Sequence, residues 1–298
     1  MPAPAHYVPS PMHFLLLSVL CSVLVSVLLK LAPRQRIDVS QAITWNYALA
    51  AVLAWTLLQP SLAALRSPQT PWLALALLAV ALPSIFLVLA RSVRLAGIVR
   101  SDVAQRLSLL LSLLAAFALF GEQADPGKLA GLALGLLAIA AILHRPAGGD
   151  APGVRGWPWL LAVWIGFALI DVLLKRIAQS GVSASVSLTL CFAIAFVLML
   201  ALQLWRRQRG QARFDHRSLL AGLLLGALNF GNILFYVRAH QALPHSPAIV
   251  FASMNIGVVT LGALVGIFCF GEPTSRWNRV GLGLALVAIL VIAFGVGG

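Results

Sequence analysis

The chain has 298 residues, 61% of them hydrophobic and 10% charged, with a mean hydropathy of +0.97. Soluble domains carry about 25% charged residues, so this composition excludes a water-solvated surface and indicates an all-α, polytopic membrane protein. The net charge of +13 does not indicate nucleic-acid binding, because the Lys and Arg are scattered over short connections between apolar runs, where they act as topology signals and headgroup contacts.

The N-terminal MPAPAHYVPS lacks a basic n-region, and the first apolar run, Met12–Leu31, leads straight into Lys30, Arg34 and Arg36. It reads as a retained span, not a cleaved signal peptide. Nine further runs are long enough to cross a bilayer, some only if short or tilted: Ala42–Gln59, Trp72–Ala90, Asp102–Phe120, Lys128–Leu143, Trp157–Leu174, Val182–Trp205, Leu219–Val237, Ala248–Phe270 and Val280–Gly295. The breaks carry Pro, Gly and charge. Residues 144–156 form a polar linker near the middle and divide the chain into a first five-helix repeat, 12–143, and a second, 157–295. Most Lys and Arg follow the odd-numbered spans. The positive-inside rule therefore places those loops in the cytoplasm and both termini outside, which in a bacterial inner membrane means periplasmic.

Polar side chains in a bilayer are costly and face the bundle interior or water, so their helical spacing picks out cavity faces. The first span has Ser18, Ser22, Ser26 and Lys30 at spacing four. The fourth has Ser101, Gln105, Ser108 and Ser112, with Asp102 and Arg106 beside them at the spacing of an ion pair. The sixth aligns Trp164, Asp171 and Lys175; the eighth aligns Asn229, Asn232, Tyr236 and His240. The second offers Thr44, Asn46 and Tyr47, and the ninth Ser253, Asn255 and Thr260. The fifth and tenth spans instead carry small residues (Gly127, Gly131, Gly135; Gly281, Gly283, Ala285), which permit close helix packing. Internal packing is one use of these faces and a homodimer is the other.

The chain also repeats itself. SVLLK at 26–30 is echoed by DVLLK at 171–175, and FALFGE at 117–122 by IFCFGE at 267–272. Duplication in a hydrophobic chain marks a secondary transporter, and with five spans per copy the second is inverted. The two Gly-Glu units, FALFGEQADPGKLAGLALGLLAIAAIL (117–143) and IFCFGEPTSRWNRVGLGLALVAILVI (267–292), together with the SVLLK/DVLLK pair, resemble the ten-helix EamA-type branch of the drug/metabolite transporter superfamily. The resemblance implies a carrier of small metabolites, amino acids or drugs, with a central cavity lined by helices 1–4 and 6–9. Many members are thought to keep both termini in the cytoplasm, opposite to the Lys/Arg bias here. Four-span relatives couple to protons through a first-helix Glu, which this chain lacks.

The expected function is alternating-access transport of a small polar metabolite, amino-acid-like or otherwise carboxylate-bearing. The expected substrate-binding residues are Lys30, Asn46, Tyr47, Gln105, Ser108, Trp164, Asp171, Lys175, Asn229, Asn232, Tyr236 and Asn255. Lys30 and Lys175, set against Asp171, would leave the cavity mildly positive. For Asp171 and Lys175 a mutually neutralising pair is the competing reading, and for Lys30 snorkelling to the interface. Asp171 and Asp102 are the carboxylates placed for proton coupling. Glu122 and Glu272 each follow a helix-ending Gly and precede a helix N-terminus, so they read as caps, as do Asp125 and Thr274/Ser275. Three cysteines without CxxC spacing and six scattered histidines make no metal set, and no cofactor is expected. No GxxxxGK[ST] is present, and the acids needed by the rival reading, a membrane enzyme acting on lipid-linked substrates, are not clustered.

Overall fold

The computed structural model describes residues 11–61, 70–120, 126–143, 156–180, 182–243 and 247–294. Among them are eleven α-helices and no strand: α1 (Pro11–Leu31), α2 (Val39–Leu58), α3 (Trp72–Ala96), α4 (Ile98–Arg106), α5 (Ser108–Phe120), α6 (Pro126–Leu143), α7 (Trp157–Gln179), α8 (Ala184–Gln208), α9 (His216–Ala242), α10 (Pro247–Leu264) and α11 (Arg276–Phe294). Five of them, α1, α3, α7, α8 and α9, contain a stretch long and apolar enough to cross a membrane.

Among the described residues each apolar run of the sequence lies mainly on helix, with one interruption. The run Asp102–Phe120 is two helices, α4 and α5, separated at Leu107, and α4 begins four residues earlier than that run. The Leu107 carbonyl is taken by the indole N–H of Trp164 at 2.7 Å, and the Ser108 hydroxyl donates to the carbonyl of Gln105 at 2.7 Å. Side chains thus satisfy the backbone groups that the break releases, as an apolar environment demands. α3 continues through Pro83. α10 ends in a π turn, Val265–Cys269, stopped by Gly271 at φ 62° with Glu272 N–H bonded to the Gly266 carbonyl. This is a Schellman-type stop widened by the π turn, and it aims the Glu272 side chain back into the bundle.

The most extensive interfaces join the first half of the chain to the second: α6 with α11, α2 with α8 and α9, α1 with α9 and α10, and α3 with α7. Small residues permit the tightest of these. A Cβ at Gly222 or Gly226 of α9 would lie 2.5 Å from the Ala42 carbonyl or 2.8 Å from that of Asn46, so α2 and α9 touch backbone to backbone. α6 and α11 pack chiefly on each other, with Ala138 and Ala285 fully buried and Gly135 pressed against Leu110 of α5. Gly135, Ala138 and Ala285 are therefore used inside the chain, while Gly283 is exposed with open space beside it.

Candidate functional site

Seven helices, α1–α4 and α7–α9, enclose a cavity of about 500 Å³ walled by Phe86, Phe167, Phe192, Leu82, Ile85 and Tyr47. A second space of about 480 Å³, between α4, α5, α7, α9 and α10, is lined by Arg106, Ser108, Ser112, Asp171, Lys175, Tyr236 and Asn255. The two share Gln105, Phe167, Asn232 and Ile233. They form an apolar and a polar lobe meeting at a common floor, each of a size that holds a small metabolite. Among the described residues, neither α6 nor α11 contributes a lining residue.

The lobes reach the C-terminal half of α7 (Leu174, Lys175, Ile177) and the start of α8 (Ala184, Ser187). The opposite end, where the Arg-rich loops lie, is tied shut between the two halves of the chain. Lys30 Nζ pairs with Glu272 Oε1 at 3.0 Å and also donates to the Val93 carbonyl. Arg206 pairs with Asp38 at 3.1 Å, and Gln41 exchanges hydrogen bonds with the backbone of Asp215. Arg100 donates to Asn278 at 3.2 Å.

Glu272 is the centre of this closure. Its carboxylate accepts the backbone N–H of Ile98 at 2.7 Å and of Val99 at 3.2 Å, so it caps the N-terminus of α4 as well as holding Lys30. Its place in the sequence makes Glu272 a cap for the helix that follows it. That is corrected: α11 is capped locally by Ser275 and Asn278, which bond each other reciprocally in the manner of a capping box, and Glu272 serves a helix 174 residues away. Glu122 and Asp125 lie outside the described residues.

The serine ladder of α1 is a seam, each rung with its own partner. Ser18 donates to the side-chain oxygen of Asn232 at 2.8 Å, Ser22 accepts from Arg106 at 2.8 Å, Ser26 donates to Asp102 at 2.9 Å, and Lys30 meets Glu272. Such bonds are worth roughly 0.6–2 kcal/mol each within a membrane.

The structure brings nine of the twelve expected binding residues to the lobes. Tyr47 and Asn229 line the apolar one; Ser108, Asp171, Lys175, Tyr236 and Asn255 line the polar one; Gln105 and Asn232 line both. The other three line neither lobe. Lys30 is one turn beyond the cavity and neutralised by Glu272. Asn46 is buried between α2 and α9, accepting from Asn229 at 3.4 Å. Trp164 is turned to the helix break. The Asp171 carboxylate is held by serine hydroxyls, Ser112 at 2.9 Å and Ser108 at 3.4 Å, instead of by the lysine one turn on. Asp102 is 3% exposed and lies behind the cavity wall, one oxygen bonded to Ser26 and the other without a hydrogen-bond partner, facing Gly262. The ion pair expected between Asp102 and Arg106 is absent: one turn apart, the two side chains diverge, and the guanidinium goes to Ser22 and Asn255.

Sequence reasoning therefore missed Arg106 as a cavity residue, since helical spacing made it a partner for Asp102. It also missed the aromatic wall, because a phenylalanine facing a cavity and one facing lipid look alike in sequence. Tyr47 could be found because its polar hydroxyl stood out; its ring packs against Phe86 at 6.0 Å and Phe192 at 5.9 Å between centroids.

The family model for EamA-like transporters matches residues 10–144. An uncharacterized protein of Haemophilus influenzae is 40% identical over 292 residues, 95% of this chain and 98% of its own length. An uncharacterized protein of Pseudomonas aeruginosa is 31% identical over 163 residues, 55% of this chain and 53% of its own length. A solved crystal structure covers 95% of this chain and 99% of its own at a TM-score of 0.59 and 18% identity, a likeness of fold. With a two-lobed cavity inside a bundle of apolar helices, the chain is an integral multi-pass membrane protein and belongs to the EamA-like transporter family, within the drug/metabolite transporter superfamily.

Proposed function

We propose that this protein is a secondary carrier that moves a small carboxylate-bearing, amino-acid-like solute across the bacterial inner membrane by alternating access. The observation that carries the reading is the pairing of a cavity reaching one end of the bundle with a set of ion pairs and caps shutting the other. In this reading α4 and α5 together make one span, giving ten spans in two inverted five-helix repeats, 12–143 and 157–295. The Lys/Arg bias puts the shut end in the cytoplasm and both termini in the periplasm.

The moving bodies in this reading differ from the two halves of the sequence. Rocking one half against the other would cut the interfaces of α2 with α8 and α9 and of α3 with α7. Helices of both halves move together, and the Lys30–Glu272 and Asp38–Arg206 ties break when the cytoplasmic end opens. Asp171, in the polar lobe, and Asp102, behind it, are the carboxylates that would take up a coupled proton.

Accessibility tests the carrier. A single cysteine at Leu188, in a chain whose native cysteines are replaced, should react with a membrane-impermeant maleimide from the periplasmic face, and reaction should fall when the cytoplasmic end opens. Glu272→Gln should shift the balance and lower that labelling several-fold. Labelling unaffected by Glu272→Gln and by any solute would sink alternating access. Proton drive is tested by a pH jump in proteoliposomes, where Asp171→Asn or Asp102→Asn should abolish the response; an unchanged response clears the residue replaced.

A further inference from the structure

We propose that Arg106 anchors a carboxylate of the transported solute; this rests on the carrier reading above. Arg106 is the last residue of α4 and lines the polar lobe, where a charge is tolerated only if it is compensated or put to use. Its Nη2 donates to Ser22 at 2.8 Å and its Nη1 reaches Asn255 only at 3.5 Å. Its Nε is buried and has no acceptor. Among the described residues no carboxylate forms an ion pair with it: Asp102 faces Ser26 and Gly262, and Asp171 is held by Ser108 and Ser112. A buried guanidinium held only by neutral oxygens, with one donor orphaned, costs several kcal/mol. A planar two-oxygen anion removes that cost, since two parallel N–H···O bonds match the fork geometry.

The surroundings fit the same ligand. Tyr236, Asn255 and Lys175 bring further hydrogen-bond donors to this lobe. The floor shared through Gln105 and Phe167 leads into the aromatic lobe. A solute with its carboxylate at Arg106 places its apolar part against Phe86 and Phe192. With Lys175, Arg106 also supplies the positive sign expected from Lys30 and Lys175, since Lys30 is neutralised by Glu272.

The test uses the purified full chain and its thermal unfolding in detergent. The probes are isovalerate, phenylpropionate and L-leucine, each against its carboxamide, with inorganic phosphate as a second anion. A ligand that binds the native state raises the Tm once well above its dissociation constant. At least one carboxylate should stabilise the protein, and neither its amide nor phosphate should. Arg106→Gln should abolish that response, and Arg106→Lys, which keeps a point charge but loses the fork, should weaken it about tenfold. The wild-type chain gives a readout that needs no variant: phenylglyoxal should modify Arg106, followed by mass spectrometry, and the stabilising carboxylate should protect that peptide while leaving other arginines reactive. Equal stabilisation by acid and amide, a response to phosphate alone, an undiminished response in Arg106→Gln, an unprotected Arg106 or no response to any probe would each overturn the assignment. The carrier reading is judged separately by the Leu188→Cys labelling, so it survives loss of the Arg106 assignment.

Discussion

α4 and α10 occupy corresponding places ahead of the two Phe-Gly-Glu echoes, yet they are chemical opposites. Within nine residues α4 carries Arg100, Asp102, Gln105 and Arg106. α10 has no charged residue and, with its π turn, presents Gly257, Gly262 and Gly266. The two helices pack together. A Cβ at Gly262 would collide with the Asp102 carboxylate, and one at Gly266 would lie 2.7 Å from Val99 and 3.0 Å from the Glu272 carboxylate. α4 brings the polar chemistry and α10 brings the room for it. The two segments ahead of the echoed motif thus divide the work, because a charged side chain in a membrane needs space beside it as much as it needs a partner.

Filling that room is the most damaging way to break the contrast. Gly262→Ala should cost about 3 kcal/mol by overpacking, read as a drop in Tm, and the cost should fall by about half in an Asp102→Ala background, where the carboxylate no longer stands in the way. Equal costs in both backgrounds would separate the glycine from the aspartate. Glu272→Gln should cost about 2 kcal/mol, since it weakens the α4 cap and leaves Lys30 half-buried without its counter-charge. Pairing it with Lys30→Gln should recover part of that loss; strict additivity in this double-mutant cycle would show that the two residues do not act as a unit. Ser26→Ala, which removes the one hydrogen bond to Asp102, should cost about 1 kcal/mol in the same melt. Arg206→Gln sharpens the comparison from outside it. Its ion pair with Asp38 is partly solvated, so the loss should be below about 1 kcal/mol and should vanish in high salt.

Much of this was legible from single segments. Helix positions followed from apolar length, because a segment in lipid must satisfy its backbone within itself. The polar stripes of α7 and α9 mark faces, and most of their members reach the lobes. The described residues of the plain small-residue runs of α6 and α11 line neither lobe. The failures have one form. Spacing gives Arg106 and Glu272 neighbours in sequence and gives Lys30 and Asn46 cavity positions, whereas the fold gives Lys30, Arg106 and Glu272 partners on helices distant in the chain and puts Asn46 in a helix interface. Helical spacing says which side chains share a face, and it carries no information about what packs against that face.

The amino-acid pattern alone decided that this chain lives in a bilayer, where its helices run, and which of their faces are polar, since each of these depends on local hydrophobicity and backbone self-satisfaction. Only the tertiary structure decided that Glu272 caps a helix from the other half of the chain, that Lys30 is spent on a closure, and that Arg106 joins Lys175 in lining the polar lobe. Those outcomes depend on which helices meet, and burial makes every close polar contact between them either a compensated pair or a costly orphan.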